Sequence, residues 1–187
     1  MRRRVELVFK FPYKLKKESY ELAHPFSRMP ANLNTVVRYF PTDPLNTIFL
    51  NFIKDNFYGV FICENGNWVA YGWMSRPSTP GPIHLSPAIQ KLKVFWIFYC
   101  HTKESFRGRG LYKTVLRILI QQAFHENKEA EIYMDTQLDN IPARKAILTV
   151  GFKPQGTVYT YKFGIPKIKI WNWCKWNKEA VHLTLID

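Results

Sequence analysis

Acidic residues and cysteines are scarce in this chain. Against 27 Lys and Arg stand 14 Asp and Glu, a formal charge of +13 with a pI near 9.7. The three cysteines, Cys63, Cys100 and Cys174, are odd in number and far apart. With no C-x-x-C pair and no His/Cys cluster at metal-ligand spacing, a metal site of that kind is not expected. Cys63 and Cys100 sit in strand-like apolar runs and read as reduced core thiols. No apolar run reaches the roughly 18 residues needed to cross a bilayer. Behind Met1-Arg2-Arg3-Arg4 there is no apolar signal core, so no secretory or transit peptide is expected, and the cytoplasm is the expected compartment. Repeats and low-complexity tracts are also lacking.

Hydrophobic residues are abundant, at 47% of 187, with 16% aromatic. That supports one self-sufficient domain over residues 1–187 and argues against disorder. The positive surface attracts polyanions: nucleic acid, anionic lipid, or a ligand with several phosphates.

Residues 5–11 alternate like a strand, and Thr35–Phe40 reads as another; residues 19–34 carry no clear signal. Thr42 or Asp43 caps a short helix over 45–55, with Leu45, Ile48, Phe49, Phe52 and Ile53 on one face. Two β-rich runs, 57–63 and 68–74, flank Glu64-Asn65-Gly66-Asn67, a hairpin signal. Four prolines break 76–91 into a long loop. Val94–Thr102 is an apolar strand buried on both faces. A helix from Gly110 to Glu126 carries Leu111, Val115, Leu119 and Phe124 as its stripe. A short strand over 131–136 precedes a helix capped by Asn140, with Pro142 in its first turn and Gly151 at its end. Residues 157–163 form a strand. The order predicts an α/β fold: a mixed, mostly antiparallel sheet with a central βαβ crossover and flanking helices.

The chemistry concentrates where the buried strand turns into the long helix. Gly108 and Gly110 permit positive φ and close backbone approach, and the first helical amides lack intrahelical partners. With the helix dipole this makes an anion site, to which Arg107 and Arg109 add pairing with phosphate oxygens. The run lacks the Gly-Lys-Ser/Thr ending of a P-loop and the three glycines of the dinucleotide fingerprint.

Phe106-Arg107-Gly108-Arg109-Gly110-Leu111 resembles the acetyl-CoA signature of the GNAT superfamily of N-acetyltransferases, [Arg/Gln]-x-x-Gly-x-[Gly/Ala]. Downstream, Asp139-Asn140, Arg144-Lys145-Ala146-Ile147 and Val150-Gly151-Phe152 look like that family's second block. The likeness covers about residues 35–163 and leaves 1–34 and 164–187 as extensions. It implies acetyl-CoA as co-substrate, its pyrophosphate held at Arg107, Gly108, Arg109, Gly110, Leu111 and Tyr112, with Asn140 in contact. It also implies a central strand splayed from its neighbour, holding the pantetheine arm at about Cys100 and Thr102. An acceptor amine (small molecule, sugar or peptide) then attacks the thioester directly. Tyr112 departs from the pattern, standing where Gly or Ala is commoner; a bulky side chain there can point away. The family's general-acid tyrosine falls near Ile147 and its strand glutamate near Trp96, neither able to serve.

For catalysis the candidates are His101, at the end of the central strand, and Asp135, at the end of the next, where a carboxylate could receive the ammonium. Each also has a structural reading, as a hydrogen-bonded histidine and a loop cap. Tyr159 and Tyr161 are possible acids but read first as strand packing. Trp73 and the loop 76–91 are placed to wall the acceptor pocket. Trp171, Trp173 and Trp176, interleaved with Lys169, Lys175 and Lys178, read as a final packing strand over a headgroup or base platform. Against the N-acetyltransferase reading stands a non-enzymatic basic module for nucleic acid or an anionic membrane surface. No helix-turn-helix, zinc-finger or RNP pattern supports it.

Overall fold

The structure is a computed structural model that describes residues 2–12, 22, 24–82, 84–85, 87–165 and 168–178, without the side chains of 2–3, 87–88, 162–165 and 168–174. Eight strands form one sheet: β1 (Arg2–Lys10), β2 (Phe26–Pro30), β3 (Tyr58–Glu64), β4 (Asn67–Ser75), β5 (Phe95–Thr102), β6 (Ile132–Gln137), β7 (Lys153–Ile165) and β8 (Ile168–Asn177). Their order is β2-β3-β4-β5-β6-β1-β7-β8, antiparallel except between β5 and β6. The amino-terminal strand, outside the stretch that carries the motif resemblance, thus lies inside the sheet between β6 and β7.

Helices α1 (Leu33–Tyr39), α2 (Leu45–Lys54), α3 (Pro87–Gln90), α4 (Leu111–Glu126) and α5 (Ile141–Val150) complete the fold. Helices α4 and α5 cover one face, where Val115, Leu116, Leu119 and Ile147 pack on Leu7, Phe9, Ile62 and Ile97. Helices α1 and α2 cover the other, an aromatic core of Phe40, Phe49, Phe61, Tyr71, Trp73 and Trp96. Edge-to-face contacts such as Phe40 on Phe49 at 5.0 Å organise it.

Thr35–Phe40, expected as a strand, belongs instead to α1. Asn32 Oδ1 accepts from the Thr35 amide at 3.0 Å while Thr35 Oγ1 accepts from the Asn32 amide at 2.9 Å. This reciprocal cap fixes a helix start that outweighs the β preference of Val36 and Val37. For α2 the neighbouring Asp43 accepts from the Leu45 amide at 2.8 Å. The loop 76–91 is present, with the four residues of α3 inside it, and Arg76 anchors its start on Glu126 of α4 at 2.7 Å. The hairpin turn has Asn65 and Gly66 at positive φ.

Two irregularities position the site. The β4–β5 ladder pairs Tyr71 with His101 and Trp73 with Phe98, so Gly72 alone faces Tyr99 and Cys100, and β5 bulges there. Tyr99 takes φ 52°, an uncommon conformation for a bulky side chain. Gly72 is required by space: a Cβ would stand 2.4 Å from Val115 and 2.9 Å from Cys100 Sγ. The second irregularity is a splay. β5 and β6 pair through Phe95, Trp96 and Ile97 against Ile132, Tyr133 and Met134, and the ladder goes no further. Beyond Ile97 and Met134 the strands part.

Candidate active site

The gap between the parted strands holds two adjoining cavities. One, of about 520 Å³, is lined by Cys100, His101, Thr102, residues 106–108 and 110–113 of the turn, and Asn140, Pro142, Ala143 and Ala146 of α5. The other, of about 310 Å³, is lined by Arg4, His84, Phe98, Tyr99, Cys100, Tyr112, Met134–Gln137 and Asn140. Cys100, Tyr112 and Asn140 belong to both walls and mark where the cavities meet.

The larger cleft presents donors that the protein itself leaves unsatisfied. Gly108 and Gly110 have φ 80° and 76°, which L side chains adopt only at a cost of about 1–2 kcal/mol. A Cβ on Gly108 would meet nothing within 4 Å, so the turn is open on the cleft side. The first bond of α4 runs from the Thr114 amide to the Gly110 carbonyl at 3.1 Å, so the amides of Leu111, Tyr112 and Lys113 are left over by the helix. No acidic residue stands in that first turn. Across the cleft the Thr102 hydroxyl is buried with no hydrogen-bond partner in the protein. A buried polar atom without a partner, leftover helix amides and an open glycine turn fit a long polar ligand with a diphosphate.

Arg107 lines this cleft, 3.3 Å from Glu104. Arg109 does not: its guanidinium lies 3.6 Å from Glu64 and over the Phe106 ring, turned toward β3. Tyr112 does not point away. Its ring is partly buried between the cavities, and desolvation, then Cys100 and Asp135, hold its phenol well above its ordinary pKa of 10.0. Asn140 caps α5 through its Oδ1, 3.3 Å from the Ala143 amide, and still reaches both cavities. Burial pushes the Cys100 thiol up to about 12.

His101 and Asp135 are not brought together. His101 stacks on Tyr71 at 5.4 Å and borders the larger cleft; burial and then Arg107 lower its pKa. Asp135, nearly buried, borders the smaller cavity within a charged cluster. Trp96 Nε1 donates to its Oδ1 at 2.7 Å, and His84 Nε2 lies 3.2 and 3.0 Å from its two oxygens. Burial alone would raise the Asp135 pKa, but His84 and the Trp96 N–H outweigh it and hold the carboxyl low. Thus Trp96, at the position of the absent glutamate, serves as a donor to a carboxylate.

Glu6 of β1 completes the cluster. It is fully buried, with Arg4 Nη2 2.5 Å from its Oε1. One ligating atom each of Glu6, His84 and Asp135 lies within 4.8 Å of the others. Neither His84 nor Glu6 was singled out by sequence. His84 sits in a proline-broken loop, and Glu6 in a segment outside the motif. The alternation of 5–11 sets Glu6 opposite Val5, Leu7, Phe9 and Phe11, on the face that reads as polar, so nothing in that pattern marks it as buried.

Trp73 is fully buried against Phe49 and Phe52 and lines neither cavity, whereas the loop 76–91 does contribute a wall, through His84. Tyr159 and Tyr161 of β7 line neither cavity. Trp176 packs against Trp96 and Tyr133, as expected of a final strand. The side chains of Trp171 and Trp173 lie outside the described residues.

The parted strands, the glycine turn and the long helix behind it define an acyltransferase fold. The Acetyltransferase (GNAT) family model matches residues 17–152. The chain belongs to that family. By structure it is similar to a GNAT-family acetyltransferase from Colwellia psychrerythraea at 18% identity and TM-score 0.53, over 81% of this chain and 53% of that one. A putative GNAT acetyltransferase from Novosphingobium aromaticivorans matches at 13% identity and TM-score 0.56, over 85% and 63%. A Drosophila protein solved by structural genomics matches at 9% identity and TM-score 0.62, over 84% and 50%. The chain therefore spans between half and two thirds of the length of these three structures. No curated protein matches it. Among the described residues no helix is long and apolar enough to cross a membrane.

Proposed function

We propose that the chain is an N-acetyltransferase that moves an acetyl group from acetyl-CoA to a primary amine by direct attack. The observation that carries this reading is the meeting of an anion-binding cleft with a second, charged cavity at Cys100, Tyr112 and Asn140. In this reading the turn amides and Arg107 hold the pyrophosphate, and the parted edge of β5 at Cys100 and Thr102 holds the pantetheine arm. The donor contributes an activated thioester. The acceptor enters the smaller cavity, so that its nitrogen meets the acyl carbon where the cavities join.

The departing sulfur needs a proton. Ile147, where relatives carry an acid, is buried and apolar. Tyr112 is the phenol on both walls; it is protonated at neutral pH, and its raised pKa makes it a weak acid whose help to the departing sulfur is modest. The departure of Tyr112 from the glycine signature thus supplies the acid that α5 lacks.

Acetyl-CoA at 100-fold over its Kd is expected to stabilise the chain by about 2.7 kcal/mol, raising the melting temperature by roughly 5–10 °C. An unchanged melting curve at millimolar acetyl-CoA would overturn the reading.

A further inference from the structure

Glu6, His84 and Asp135 reach one spot from three separate parts of the chain: the interior strand β1, the loop 76–91 and the end of β6. Val8 pairs with Asp135 across the β1–β6 ladder, which sets Glu6, two residues back on the same face, diagonally beside the Asp135 carboxylate. Arg4 Nη2 lies 2.5 Å from Glu6 Oε1 without the alignment of a hydrogen bond, and Oε2 has no partner among the described residues. Two buried carboxylates this close do not both ionise. A proton on Glu6, donated to Asp135, relieves the repulsion and gives Glu6 its missing bond. Asp135 then accepts from Glu6, from Trp96 and from His84, and remains the ionised member.

With Nε2–H donated to Asp135, the His84 lone pair is on Nδ1, which no residue described in the structure bonds. His84 is also a wall of the acceptor cavity. Resting on the acetyl-transfer reading, we propose that His84 is the catalytic base of this protein, with Asp135 and Glu6 as the residues that position and tune it. The acceptor ammonium gives one proton to His84 Nδ1, and the freed amine lone pair forms the N–C bond. The C–S bond breaks with its electron pair to sulfur, which takes the Tyr112 phenolic proton. The second proton of the former ammonium restores Tyr112, and His84 returns its own to solvent.

The charged groups facing His84 are Arg4 and Glu6 from β1 and Asp135 from β6. Burial disfavours the charged imidazole, but Asp135, and behind it Glu6, outweigh that and keep its pKa above the ordinary 6.5. Burial, then Asp135, pushes Glu6 up to about 7. The base is therefore free only above its raised pKa, and turnover rises with pH through that point. While protonated, Glu6 acts on His84 only as a donor to Asp135; Glu6→Gln keeps that donor and removes the negative charge that Glu6 takes on above about pH 7, so the acidic limb moves to lower pH.

The test joins kinetics with imidazole NMR on the full chain, using acetyl-CoA and a panel of primary amines (amino acids, amino sugars, polyamines) read by free thiol. His84→Gln is expected to cut kcat/KM about 100-fold and abolish the acidic limb while acetyl-CoA still raises the melting temperature. The His84 resonance is expected to titrate above 6.5 and to move down in both Glu6→Gln and Asp135→Asn. Glu6→Ala loses more turnover than Glu6→Gln, which keeps a donor to Asp135. A wild-type pH profile in folded His84→Gln, or a His84 titration unmoved by Glu6→Gln, overturns the proposal alone. A wild-type chain that does not bind acetyl-CoA overturns the transfer reading and the role of His84 with it.

Discussion

The two cavities share three residues but are assembled in opposite ways. The larger draws on two short runs, 100–113 and 140–146, each a strand–turn–helix or helix start whose shape follows from its own sequence. The smaller draws on residues 4, 84, 98–100, 112, 134–137 and 140, which come from β1, the loop 76–91, β5, α4 and β6 and are brought together by the order of the sheet. The first is thus a backbone site: glycine φ, leftover amides, a helix dipole. The second is a side-chain site whose chemistry depends on which charges the sheet order juxtaposes. Substitutions should separate the two. Those at the turn should act on donor affinity, and those at the charged floor on turnover and its pH dependence.

The largest effect belongs to the turn. Gly110→Asp places a carboxylate among the amides left over at the start of α4 and forces an L side chain to φ 76°. The loss of acetyl-CoA affinity should be about 100-fold, or ~2.7 kcal/mol, measured by titration of the folded variant. Unchanged affinity would move the anion site elsewhere and erase the distinction between the cavities.

This difference in construction also explains what could be read in advance. The turn, α4 and the Asn140 cap were legible because each rests on neighbours in sequence: φ-permissive glycines, a 3.6-residue stripe, a side chain bonding an amide three residues on. The start of α1 escaped because its box closes with Thr35 rather than a Glu or Gln, inside a β-branched run. Asp135 was visible as a strand-end carboxylate, but its partners were not. The contact with Glu6 crosses the β1–β6 ladder, and that with His84 comes from a loop whose path prolines interrupt. Nor does a motif fix side-chain direction: Tyr112 turns inward and Arg109 outward. The bulge at Tyr99 carries no glycine to announce it.

A middle-sized effect tests the seam between the cavities. Tyr112→Phe keeps the ring that fills the wall and removes only the phenolic proton. Donor affinity should stay within about 2-fold, while kcat falls roughly 10–100-fold, because a thiolate is already a fair leaving group and needs modest help from an acid. An equal loss in affinity and kcat would make Tyr112 part of the backbone site, and an unchanged kcat would make it packing.

The smallest effect separates two arginines one residue apart. Arg107 borders the cleft with an exposed side chain that, among the described residues, pairs with Glu104 on the same turn, whereas Arg109 is engaged by Glu64 and the Phe106 ring. Solvent and salt screen an exposed guanidinium, so its contribution to phosphate binding is modest. Arg107→Ala should weaken acetyl-CoA about 5-fold at low salt and less as salt rises. Arg109→Ala should change affinity by less than about 2-fold at any salt, since its charge points to β3 and not to the ligand. The comparison is made by measuring both variants over one salt series. Equal, salt-sensitive losses would show Arg109 swinging back to the phosphates on binding, and the amides would then share the anion with two side chains instead of one.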